Sequence, residues 1–505
     1  MPQHLAIAAT FLVHPKTTTH AKAEEKECAH VALRLLRLIT TLVTPKDAKF
    51  NLAFSFAQSS TSRSGRHRTA EDDPNSELRH YATRPLNLGM GRHDSLWSRA
   101  EDFWHAVGWA FNCSVLHPAR WERWQLWLEF MCGVIDDDWA EREREYEANK
   151  EEHTEPIENG TGTTKKGRKP KGKGSNPNDD GLAIFRESII FQYISTGFSS
   201  GNLRRIFRAI FADGSSTSVN EFRQVFSKEL AVFDPNRKRE NPKKRDRQVD
   251  IERDEFGDYL TEEETDDEAN GTATGPRQSG PRQSKRTKPN TAGTAPETAN
   301  AGQASTQQKG VSSMGGIGSL NLRKRLLGIL LNVSLRLPND FIDKSNLFDL
   351  FVENIRHLPL PVFQAFVSPY VLPHFSDAAQ STLCELLLFH MLESAAPETE
   401  EENLTKEKLE QCFLPYAAAA ASVVNNAKVS ILLEACVMLL VKSDMLSSSP
   451  EFITAVEDGI LRRAERSQEE FRRSHNSREQ EPIEWCWLVE SGERLNYLVE
   501  LLQPA

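Results

Sequence analysis

Phe103-Trp-His-Ala-Val-Gly-Trp-Ala-Phe-Asn-Cys-Ser-Val-Leu-His-Pro-Ala-Arg-Trp-Glu-Arg-Trp-Gln-Leu-Trp-Leu-Glu-Phe130 is the stretch on which the fold turns. Seven of the chain's nine tryptophans fall between Trp97 and Trp139. Pro118 divides the stretch, and proline suits the first turn of a helix, where its missing N–H costs nothing. In the first half Trp97, Trp104 and Val107 or Phe111 recur seven, three and four residues apart. In the second, Trp121, Trp124, Leu128, Met131 and Ile135 form one stripe, with Trp127 and Phe130 on its shoulder. Period-3.6 spacing of this kind predicts two amphipathic helices, paired as an antiparallel hairpin. Each tryptophan removes about 150–250 Å² from water and wants a hydrogen-bond acceptor for its indole N–H. Such a surface reads first as the aromatic core of a helical domain. Its alternative is a partner-docking face built from Trp97, Trp104, Trp121, Trp124, Trp127, Arg120 and Arg123, because tryptophan and arginine dominate binding hot spots. Base stacking is disfavoured by the neighbouring Asp136-Asp-Asp138, which repels phosphate.

The same spacing continues on both sides. Leu5 to Val13 is apolar without a basic region before it, so it reads as a packed first helix rather than a signal peptide. Ala32 to Val43 is periodic and stops before Pro45. Further helices are expected over 182–194, 203–211, 219–233, 320–335, 341–355 (with Asn339 or Asp340 as N-cap), 383–392, 404–413, 429–441, 452–471 and 485–502. Alternating strand patterns are nearly absent, so the fold class is all-α. Helices of this length joined by brief turns suggest a bundle or a solenoid-like array of the HEAT/TPR kind. Phe366-Val-Ser-Pro-Tyr370 and Phe413-Leu-Pro-Tyr416 echo each other about 46 residues apart, within the period of such repeats. The expected organisation is an N-terminal helical domain (1–148), a charged linker (149–180), a short helical segment (181–234), a second linker (235–316) and a C-terminal helical array (317–505). Both linkers are expected to be disordered, since their polar, Gly/Pro-rich composition offers too little burial to offset chain ordering.

Composition narrows the class. Of 505 residues 38% are hydrophobic, and the net charge is −10. Membrane spans need about 18 uninterrupted apolar residues; the best run, Ile431 to Val441, is broken by Glu434, so no membrane partner is expected. The seven cysteines are dispersed without a CxxC and read as reduced thiols. Two basic clusters stand in the linkers. One comprises Lys165, Lys166, Arg168, Lys169, Lys171 and Lys173; the other comprises Arg237, Lys238, Arg239, Lys243, Lys244 and Arg245. Such clusters read as nuclear import signals or weak, non-specific nucleic-acid contacts. Eleven acidic residues between Asp250 and Glu268 follow the second cluster and offer a contact for basic partners.

Two local resemblances bear on function. Arg120-Trp-Glu-Arg-Trp-Gln-Leu-Trp-Leu-Glu-Phe130 resembles the half-TPR (HAT) repeat, over a dozen residues and in a single copy. That resemblance implies a helical scaffold in an RNA-processing complex. Lys166-Gly-Arg-Lys-Pro-Lys-Gly-Lys173 is similar to an AT-hook, whose Arg-Gly-Arg-Pro core lies in the AT-rich minor groove; here Lys169 separates Arg168 from Pro170 and interrupts that core.

Catalytic constellations are sparse. Gly197-Phe-Ser199-Ser-Gly201 matches G-x-S-x-G, but a nucleophile elbow needs a strand before the serine and a helix after it. Residues 188–194 could supply the strand, yet they also fit helical spacing, which would make 197–201 a helix–helix turn. Asp136-Asp-Asp138 reads as a solvated acidic helix end, because three consecutive residues on a helix diverge by about 100° each and cannot converge on one cation. Asp102 and His105 read as a hydrogen-bonded core pair. Gly315-Gly-Ile-Gly318 lacks the preceding strand of a nucleotide-binding loop. No cofactor, no metal and no small-molecule substrate is expected. The sequence therefore points to a non-enzymatic nuclear protein-interaction scaffold, a subunit of a chromatin or genome-maintenance complex. An RNA-processing scaffold is the alternative, and a serine hydrolase using Ser199 the remote one.

Overall fold

Apolar spacing becomes helix along the chain. The computed structural model describes residues 2–56, 89–152, 177–195, 200–230, 314–397, 399, 403–473 and 481–502. No strand occurs among them, and an isolated bridge joins Leu392 to Ala418. The chain is all-α in these residues.

Helix α1 (Pro2–Val13) buries Leu5, Ala8, Ala9, Leu12 and Val13. Against it lies α2 (Ala23–Leu42), whose inward positions are Ala29, Ala32 and Leu36. After the single turns α3 (Phe50–Ala53) and α4 (Leu96–Arg99), the aromatic hairpin follows: α5 (Phe103–Leu116) and α6 (Pro118–Glu152). Asp102 starts α5 by accepting the His105 backbone N–H at 2.7 Å, which satisfies one of the orphan donors of a helix start. The pair is antiparallel, since Phe111 lies 6.0 Å from Trp121 and Phe103 lies 6.1 Å from Trp127. At 35 residues, α6 is about 52 Å long. It does not end in solvent at Asp136-Asp-Asp138: Asp136 and Asp138 both gain partners there, and the helix runs on to Glu152.

Next come α7 (Pro177–Arg186), α8 (Ile189–Ser195), α9 (Ser200–Ile210) and α10 (Ser216–Glu221). Here α7 packs on α6, and α9 on α5. The helix expected over 219–233 stops at Glu221, because Phe222, Val225, Phe226 and Glu229 are all buried, a set that one helical face cannot present. The expected Asn339 or Asp340 cap is displaced to Asp343, which accepts Asn346 N at 3.0 Å; Ser334 reaches across to bond Ile342 O at 2.8 Å and draws the intervening residues inward.

From Gly316 the chain forms α11 (Gly316–Arg336), α12 (Lys344–Ile355), α13 (Leu360–Val367), α14 (Asp377–Met391), α15 (Lys406–Lys408, continued as the π-helical turn Leu409–Phe413), α16 (Val423–Lys442), α17 (Pro450–Arg473) and α18 (Glu481–Leu501). Packed on α16 are α13, α14, α17 and α18. By length and composition α16 could cross a membrane, but 83% of its apolar window is buried in protein, and Glu434 within it meets Arg494 of α18 at 2.8 Å.

Met1–Val232 and Ala304–Ala505 cluster as one compact unit, with one hydrophobic core from Leu5 to Val499. The segments 1–148, 181–234 and 317–505 thus share a core instead of standing as separate domains. Ion pairs fasten the join: Arg325 of α11 meets Asp136 of α6 at 2.6 Å, and Arg336 meets Glu143 at 3.3 Å. Gly315 lets α11 begin there. Its φ is +81°, and a Cβ would stand 2.1 Å from Ser114 Oγ.

Candidate functional site

The tryptophans predicted as a docking face converge on one carboxylate. Glu229, 1% exposed, accepts from Trp109 Nε1 at 3.1 Å, Trp124 Nε1 at 2.7 Å, Phe226 N at 3.2 Å and Arg120 Nε at 2.9 Å, with a second bond from Arg120. Arg120 also donates to Val13 O at the end of α1 (2.6 Å) and to Thr18 Oγ1 (2.9 Å). Trp97 donates to Ala6 O at 2.9 Å and Trp104 to Tyr193 O at 3.0 Å. Trp97, Trp104, Trp121, Trp124, Trp127 and Arg120 are all buried, and Arg123 is half-buried at the surface. The docking face is corrected accordingly: rings turned into the core cannot reach a partner, and their polar edges are already bonded within the chain.

A second set of buried cations closes helix ends. Arg323 donates to Ile210 O and Ala212 O beyond α9, and its guanidinium stacks 4.0 Å from the Phe111 ring. Lys324 donates to Phe366 O at 2.8 Å at the end of α13; Lys428 to Arg356 O at 2.6 Å after α12; Arg463 to Leu414 O at 3.0 Å and Tyr416 O at 3.3 Å after α15. The last carbonyls of a helix lack intrahelical donors and carry the negative end of its dipole, so each cation meets the complement it needs. Burial still disfavours the charged forms: it lowers Lys324 and Lys428 to about 8 and Arg323 and Arg463 to about 9. At Gly459, one turn before Arg463, a Cβ would stand 1.8 Å from Leu414 O; glycine is what admits the carbonyl. The echoing segments at 366–370 and 413–416 both end in such a contact. One cation reaches forward in sequence and the other backward, so the likeness is local.

The remaining candidates fall into structural roles. Asp138, buried, pairs with Arg142 at 3.1 Å and accepts Ile189 N at 2.9 Å, which starts α8. Asp136 pairs with Arg325, and burial raises its carboxyl above the usual range. The Asp102 and His105 side chains do not bond each other. Asp102 accepts the His105 backbone N–H and pairs with Arg205, while the imidazole Nδ1 accepts Glu101 N at 3.1 Å and Nε2 donates to Arg223 O at 3.0 Å. Residues 189–195 are helical, not the strand a nucleophile elbow requires; Ser199 lies outside the described residues. No group of three or more His, Cys, Asp or Glu able to hold a metal ion occurs among the described residues. Of the seven free cysteines, Cys28 and Cys486 are exposed and the other five buried.

What faces outward is apolar on two helices. On α2, Val31 is 61%, Leu35 45%, Leu38 55% and Leu42 73% exposed. On α18, Ile483, Val489, Tyr497 and Leu501 are exposed. Sequence reading missed both faces. The signal in α2 was visible, because its apolar residues fill two stripes, 29/32/36 and 31/35/38/42, where one suffices to dock a surface helix. The basic clusters, Lys165 to Lys173 and Arg237 to Arg245, lie outside the described residues, as does the acidic run 250–268. Compared with known proteins, the chain matches no protein-family model, no curated protein and no solved structure.

Proposed function

We propose that the chain is a non-enzymatic interaction scaffold working in the nucleus as a subunit of a chromatin or genome-maintenance assembly, its helices stacked in a solenoid-like array. The observation that carries the reading is the pair of outward apolar faces on α2 and α18, for contiguous exposed apolar surface is what a protein–protein contact buries. The buried ionisable groups described above hold helices together, which suits a rigid platform. The basic clusters at 165–173 and 237–245 support nuclear import and allow weak phosphate contact. A second reading, a scaffold in RNA processing, draws on the HAT-like residues 120–130, which fold into one arm of a helical hairpin.

Affinity purification of the tagged full chain from nuclear extract tests the proposal. A stoichiometric protein partner is expected, reduced by Tyr497→Glu with Leu501→Glu. Retention of no partner at any stoichiometry overturns it. Partners that survive nuclease treatment support the first reading, and partners lost with RNA support the second.

A further inference from the structure

The outward stripe of α2 has a definite pattern. Cys28, Val31, Leu35, Leu38 and Leu42 succeed one another at three, four, three and four residues, the alternation by which one helix seats its side chains between those of another. All five are exposed. The opposite side of the helix, through Ala29, Ala32 and Leu36, is held by the fold, so the seam is rigidly presented rather than loose. Glu27 and Arg34 border the seam on one flank, both exposed, and no described residue forms an ion pair with either.

We propose that this seam is the interface of an antiparallel homodimer, α2 of one chain against α2 of a second copy. The inference rests on reading the α2 face as a protein-binding surface and assigns its occupant. Charge complementarity selects both occupant and direction. In an antiparallel pair with its two-fold axis between Val31 and Leu35, Cys28 sits opposite Leu38 of the second copy and Val31 opposite Leu35. Glu27 then comes within reach of Arg34 of the second copy, twice by symmetry. A parallel pair would set Glu27 beside Glu27 and Arg34 beside Arg34, with repulsion in both places. One patch that is complementary to itself about a two-fold closes after two copies and does not propagate.

Light scattering and sedimentation equilibrium of the full chain test this. The expected particle has twice the 57.0 kDa of one chain. Leu35→Glu with Leu38→Glu should weaken association about 100-fold and return the single-chain mass with an unchanged circular dichroism spectrum. Should that variant fail to fold, the charge variants decide. Glu27→Arg and Arg34→Glu should each weaken the dimer alone, and a mixture of the two should recover it as a heterodimer. A wild type that stays single up to tens of micromolar, or a dimer indifferent to all of these variants, overturns the proposal. The mass measurement is independent of partner capture. A single-chain wild type that still retains a stoichiometric partner overturns the dimer and leaves the scaffold standing; a dimer that retains none does the reverse.

Discussion

The region around Arg120 and the region around Lys324 each bury a cation, and they neutralise it by different means. Arg120 meets a carboxylate, Glu229, which also receives two indole N–H groups and a backbone N–H. Lys324 meets carbonyl oxygens at the end of α13 and the face of Phe375, 5.3 Å away. A formal ion pair ties two charges together so that losing one strands the other in a dry site. A helix end supplies partial charge spread over several carbonyls, which tolerate loss of the cation better but hold its proton less firmly. The aromatic half is therefore fastened by a knot that is costly to cut. The contacts around Lys324 are individually cheaper and more responsive to pH.

The sharpest way to break the comparison is Glu229→Gln. It leaves Arg120 charged and buried beside a neutral amide, and about 3–5 kcal/mol of stability should be lost, read as a drop in the urea midpoint with a red shift of tryptophan emission. Lys324→Met should cost less, about 1–2 kcal/mol, the deficit of carbonyls left without a donor offset by relief of a buried charge. If Lys324→Met proves the more damaging, the distinction between the two regions fails.

Acid should probe the aromatic half. Burial, with Lys16 nearby, lowers His14 to about 4; its Nδ1 accepts Lys16 N at 3.1 Å, and its ring lies edge-on to Phe226 at 4.9 Å. Between pH 6.5 and 4 the unfolded chain binds a proton that the folded chain refuses, so stability falls as pH falls through that window. By pH 5 the loss should be about 1–2 kcal/mol, and His14→Asn should flatten that part of the profile in thermal melts. Base should probe the region around Lys324, with the smallest effect. The lysine is lowered to about 8 from an ordinary 10.5, so the unfolded chain binds more protons from pH 8 upward and stability gains with rising pH. Below pH 8 both forms are protonated and the contribution is constant. Wild type minus Lys324→Met should gain about 1 kcal/mol between pH 8 and 9.5; a flat difference would show that the carbonyls hold the proton after all.

Much of this architecture was legible from spacing. The antiparallel aromatic hairpin, Pro118 in the first turn of α6, and α2, α11, α16, α17 and α18 all follow from apolar residues three and four apart. Helix α13 was not read because it is eight residues long and contains Pro361, tolerated only because it falls in the first turn. The solvated reading of Asp136-Asp-Asp138 failed since the arginine that pairs with Asp136 lies 189 residues away, and no local pattern encodes that. Glu229 was invisible for the same reason. In Lys228-Glu229-Leu230 it looks like an ordinary surface acid, and its burial depends on two indole N–H groups whose directions periodicity does not specify. The outward faces of α2 and α18 were hidden by an assumption that apolar means inward, which is a one-way rule.

Gly459 has an evolutionary consequence. Its missing Cβ and the guanidinium of Arg463, one helical turn on, together make room for a single backbone oxygen, so neither position can drift alone: alanine at 459 would expel the carbonyl, and a shorter side chain at 463 would leave it stranded. Divergent relatives, however altered their linkers and surfaces, should therefore keep a glycine followed four places later by a long basic side chain, a fingerprint by which kin can be recognised when overall similarity has faded.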